Sequence, residues 1–134
     1  LPTECCFAPL DVTEKITDCA AYAGGFWMRP DVRGTENLRI VTSVGRASAL
    51  AQWGFDHLFS LVSLPNITKN FHKRTGVKHV YQNAVIMRNT PPKPDGDLET
   101  SLLWTSPHEL VDDLFMLMLE LNPEVNIGVR QSHG

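Results

Sequence analysis

Two stretches between residues 90 and 109 restrict this chain more than any other part of it. Thr90-Pro91-Pro92-Lys93-Pro94-Asp95-Gly96 cannot be helix or interior strand, because its prolines remove backbone donors, and Asp95-Gly96 is a strong hairpin-turn signal. Ser106-Pro107-His108-Glu109 places a hydroxyl at the N-cap, a proline at the first helical position and a carboxylate three residues on, which is a capping box. The residues around these signals fit them. Val77 to Asn89 and Leu98 to Thr105 are rich in β-branched and aromatic side chains, and Leu110, Leu114, Leu117 and Leu121 recur at helical spacing until Asn122-Pro123. The sequence therefore predicts strand, loop, strand and helix in that order.

Upstream, Leu38, Ile40, Thr42 and Val44 alternate with Arg39, Val41 and Ser43, which predicts a strand over 38–44. From Arg46 the period changes: Ala47, Leu50, Ala51, Gly54, Leu58, Leu61 and Val62 form one apolar stripe, predicting a helix that Pro65 ends. A short helix is expected within 66–75 and a closing strand over 125–130. Residues 11 to 23 predict another short helix, stopped by Gly24-Gly25. Read together, residues 38–130 spell β-α-β-β-α-β, a ferredoxin-like α+β sandwich with helices on one face of an antiparallel sheet. Residues 1–37 are an N-terminal arm with a short helix, and 1–134 is expected to be a single domain. A competing packing makes residues 55 to 64 a strand.

Composition narrows the function classes. At 134 residues and 43% hydrophobic content the chain can bury a core without metals or a disulfide framework. Its most apolar stretch, Ala47 to Leu64, is interrupted by Gln52, Asp56 and His57, so no membrane partner is expected. Cys5, Cys6 and Cys19 are odd in number and crowded at one end, which favours free thiols and a cytoplasmic setting over a secreted one; the alternative is one bridge from Cys5 or Cys6 to Cys19. The glycosylation pattern Asn66-Ile67-Thr68 points the other way but is short. The sequence lacks paired metal-ligand spacings, nucleophile elbows and phosphate-binding glycine loops, and neither cofactor nor metal is expected.

Charge is segregated along the chain. Residues 57–94 hold six bases and no acid, whereas 95–134 hold eight acids and only Arg130. The densest basic patch is Lys69, Lys73, Arg74 and Lys78. If Val80, Ala84 and Ile86 face the helices, then His79, Tyr81 and Asn83 face the other way, and Arg39, Ser43, Glu99 and Ser101 are expected to share that face. The expected function is a non-catalytic binding or oligomerisation domain. Its open sheet face would recognise a small ligand or a protein partner, foremost a second copy in a homodimer. One alternative is a cofactor-independent acid–base enzyme, an isomerase, cyclase or lyase, with His79 as proton shuttle and Tyr81 as polarising hydroxyl; Arg39, Ser43, Asn83 and Glu99 would bind its ligand. The other is a nucleic-acid binder using the basic patch, which the acidic total and the scarcity of sheet aromatics disfavour. The last helix is apolar beyond one stripe and needs a second cover, expected from the arm through Phe7, Phe26 and Trp27.

Overall fold

The structure is a computed structural model that describes residues 4–7, 11, 14, 18–33, 36–89 and 96–124. Its strands are β1 (Glu4–Phe7), β2 (Ala20–Tyr22), β3 (His57–Ser63), β4 (His79–Arg88) and β5 (Leu98–Thr105). Its helices are α1 (Asn37–Trp53), α2 (Leu64–Thr68), α3 (Phe71–Arg74) and α4 (Pro107–Leu121). The strands form one mixed sheet in the order β1-β4-β5-β3-β2. The β2–β3 pair is parallel and the other three pairs are antiparallel. The fold is thus α+β. β4 and β5 pair as the hairpin that the proline-rich stretch requires, although 90–95 lie outside the described residues. The capping box is present: Ser106 Oγ accepts from the Glu109 N–H at 3.3 Å, and Glu109 Oε2 accepts from the Ser106 N–H at 3.1 Å.

Upstream of that hairpin the architecture departs from the sequence pattern. Residues 38–44 are helix, the first half of α1, rather than a strand. Their β-branched side chains disfavour helix by only a few tenths of a kcal/mol each. Burial of Leu38 and Ser43 and the reach of Arg39 and Arg46 to α4 outweigh that preference. α1 ends where Gly54 adopts a left-handed conformation (φ 61°) and donates its N–H to Leu50 O at 2.9 Å. The helix expected to run on to Pro65 is therefore replaced by β3 over 57–63, the competing packing. β3 is interior to the sheet and apolar on both faces, and a short apolar run of that kind fits a helical stripe as well as a strand. The helix expected within 66–75 is two short ones, separated by Asn70 at φ 57°.

The N-terminal region is part of the sheet and not an appendage, since β1 and β2 form its two edges. The helix expected to reach residue 23 gives way to β2 at Ala20. β2 and β3 are adjacent and parallel, with α1 between them in sequence, whereas the ferredoxin-like arrangement keeps another strand between its crossover-linked pair. The ferredoxin-like order is thus replaced by a five-stranded mixed one. The expected strand over 125–130 lies outside the described residues.

Helices lie on one face. Phe55 and Leu58 pack with Leu110 of α4 and with Ala47 and Leu50 of α1, while Val62 and Leu103 pack with Ile67 and Phe71. The cluster on the other face, centred on Val85 and Leu102, contains strand residues alone. Asp113 ties the two long helices together. It accepts a hydrogen bond from Ser43 Oγ at 3.1 Å and pairs with Arg39 Nη2 at 3.3 Å and Arg46 Nη2 at 3.7 Å. Gly76 (φ 76°) lets this carboxylate approach, because a Cβ there would sit 2.2 Å from Asp113 Oδ1. Asp113→Ala leaves the largely buried Arg46 guanidinium without a counter-ion, while Arg39 keeps Glu120 at 2.9 Å, and is expected to cost about 3 kcal/mol, read as a lower urea midpoint with an unchanged slope.

Candidate functional site

The register of β4 on β5 sets the helix-free face. His79 pairs with Trp104 and Tyr81 with Leu102, so these side chains share that face with Phe59 and Leu61 of β3. Three rings form a row across the strands. The Trp104 ring lies 4.7 Å from His79 and 5.8 Å from His57, centroid to centroid. His79 Nε2 is 2.5 Å from Glu109 Oε1. Burial alone would raise the Glu109 carboxyl, but hydrogen bonds from the Ser106 N–H and from His79 outweigh it and hold the group below the ordinary carboxylate range. His57 Nδ1 and Trp104 Nε1 are shut off from solvent without a hydrogen-bond partner. Each such orphan costs on the order of 1–3 kcal/mol.

The other sequence-predicted residues do not join this cluster. Arg39 and Ser43 sit on α1 and point to Asp113, and Arg39 Nη1 also reaches Glu120 at 2.9 Å. Glu99 pairs with Ile86, and Ser101 with Val62, on the helix-bearing face. Asn83 is exposed at φ 53° within the register shift between Tyr81 and Val85. Lys69, Lys73, Arg74 and Lys78 are all exposed. Arg74 also borders a small cavity that is lined in part by Glu36 and Glu120, so part of the basic patch faces acids of the same molecule. Cys19 is a free, exposed thiol. The expected cover over α4 is not made by Phe26 or Trp27, which are themselves exposed, as are Val111, Phe115 and Met118 on the helix.

A feature that the sequence reading missed lies on the helix-bearing face. β2 pairs only with His57, Leu58 and Phe59, so β3 beyond them has no strand neighbour on that side among the described residues. A cleft of about 760 Å³ opens along that free edge, bordered by α1 on one side and reaching round β3 to Leu61 and Thr100 on the other. α1 faces it with Val41, Gly45, Ala49 and Trp53, each four residues from the next, and Leu58 and Ser60 form part of its floor. Tyr22, Phe26, Val41 and Trp53 all line the cleft and are all exposed. A Cβ added at Gly45 would meet nothing within 4 Å. This spacing was legible in the sequence but was hidden by reading 38–44 as a strand. Glu109 was visible too, but as a cap; its second role toward His79 needed the register of β4.

His79 and Tyr81 line neither cavity. Among the described residues no group of three or more His, Cys, Asp or Glu is placed to hold a metal ion. No helix among them is long and apolar enough to cross a membrane. Compared with known proteins, the chain matches no family model, no curated protein and no solved structure.

The depressed Glu109 carboxyl has a consequence for pH. A carboxylate whose folded pKa lies below its unfolded value of about 4.3 adds stability above that value, and the addition is lost as pH falls through the folded pKa. Glu109→Gln should flatten that acid limb of the stability profile, measured as urea midpoints from neutral to strongly acidic pH. An unchanged limb would show that the contact with His79 does not stabilise the folded carboxylate.

Proposed function

We propose that this chain is a non-catalytic binding domain whose ligand is a small, largely apolar molecule held in the cleft between α1 and the sheet. The observation that carries the reading is unfilled space on a helix that is free to fill it. Glycine in a helix interior costs about 1 kcal/mol relative to alanine, yet Gly45 is not demanded by packing, since an added methyl has room. The space of about 760 Å³, of which the α1 cleft is one part, falls in the range of small-molecule sites, and Tyr22, Phe26 and Trp53 give it an exposed aromatic rim. The enzyme alternative has less support. The close contact of His79 with Glu109 resembles an oriented imidazole, but neither His79 nor Tyr81 lines either of the two cavities described above. That pair is better read as a pin between the start of β4 and the first turn of α4.

Cleft binding can be tested with a neutral apolar dye such as Nile red. One equivalent should bind the wild type. The double variant Gly45→Leu/Ala49→Phe, which fills the space, should bind at least about tenfold more weakly, equivalent to about 1.4 kcal/mol. Gly45→Ala alone should raise stability by about 1 kcal/mol. Undiminished dye binding by the filled variant would refute the reading.

A second reading, self-association through the helix-free face, is favoured by a separate observation. Phe59, Leu61, Tyr81 and Trp104 are only partly buried there, in a cluster to which no helix residue belongs, and two ring nitrogens lack partners. Sedimentation over a range of concentrations should then show a dimer that Phe59→Arg dissociates. A wild type that stays monomeric at high concentration would exclude it.

A further inference from the structure

We propose that the cleft ligand is an amphipathic carboxylate, its apolar body between α1 and β3 and its anionic end at Arg46. This inference rests on the cleft reading and adds the head group to it. Arg46 lines the same cleft as Ala49 and Trp53, from the next face of α1. Its side chain is 13% exposed, so the guanidinium charge is held largely out of water. Burial pulls it below its ordinary pKa, and Asp113 across the helix pair does not restore the difference. That acid stands 3.7 Å away and is shared with Arg39, which approaches it more closely at 3.3 Å. Arg46 is therefore a buried cation with an incomplete counter-charge at the wall of an apolar space.

The guanidinium is also held in one orientation. Nε donates to Thr42 O at 3.1 Å, and Nη2 donates to Thr75 O and, at 3.4 Å, to Ser43 Oγ. These bonds use one edge of the group, and among the described residues none engages Nη1. A guanidinium fixed along one edge, on a residue that lines the cleft, suits a carboxylate better than a hydroxyl, since a charge-assisted hydrogen bond is roughly twice as strong as a neutral one. Ser60 and Thr42 also line the cleft, the Thr42 hydroxyl donating to Leu38 O at 2.7 Å. A neutral apolar ligand would leave Arg46 with Asp113 at 3.7 Å as its counter-charge. A dianion would overfill it.

The test compares decanoate with decanol as competitors of Nile red, at neutral pH and low salt. Decanol is the more hydrophobic of the two, so any preference for the acid opposes transfer from water and reports the head group. Decanoate should displace the dye at a concentration roughly tenfold lower, and this advantage should shrink as salt is raised. In Arg46→Gln the advantage should vanish while decanol competes as before. Arg46 also ties Thr42 and Thr75 together, so if Arg46→Gln does not fold, the salt series on the wild type decides the matter independently. Equal competition by acid and alcohol in the wild type would overturn the carboxylate inference and leave the cleft intact. Failure of Nile red to bind at all would remove both.

Discussion

The joint between α1 and α4 at Asp113 is the constraint from which the rest of the structure follows. One carboxylate, admitted by the bare Cα of Gly76, gathers Ser43, Arg39 and Arg46 from successive turns of α1. That fixes the rotation of α1 about its own axis. Once residues 39 and 43 point to α4, residues 41, 45 and 49 must point elsewhere, because a helix advances about 100° per residue, and Arg46 and Trp53 lie at the boundary between the two faces. Where they point is the cleft. The space beside the sheet is thus a product of the same register that closes the core.

The joint also pairs part of the acidic segment's charge within the molecule. Asp113 and Glu120 of the acidic C-terminal part are paired with Arg39 and Arg46, which come from neither of the two segregated segments. Arg74 of the basic patch borders Glu36 and Glu120. Local charge runs record which residues are neighbours in sequence, and the helix pair exchanges those neighbours for others.

What the sequence made legible was its punctuation. The prolines at 91, 92 and 94 interrupt regular structure and the capping box at Ser106 starts a helix by backbone chemistry alone, and the bounds of β4, β5 and α4 agree with both. Periodicity without such signals misled. Ile40, Thr42 and Val44 prefer strand locally, but the preference is small against a buried ionic network, and the decisive stop at Gly54 reads as a weak helix residue until its left-handed φ is seen. The orientation of His79 and Tyr81 away from the helices was recoverable from alternation, because it depends on a single strand. The partners of that face were not, since Glu109 reaches His79 and His57 reaches Trp104 only through tertiary register. The cleft was the least legible feature. It depends on β2 being only three residues long and on what α1 leaves unfilled, and neither is written in any one segment.

The account stands on the claim that α1 holds an apolar space open beside β3. Diffraction from a crystal pressurised with xenon tests it directly, because xenon enters apolar cavities without needing a polar partner. Xenon density between Gly45, Ala49 and Leu58, with α1 undisplaced, is the result the account predicts. An α1 collapsed onto the sheet, or ordered water filling that volume in place of xenon, would contradict it.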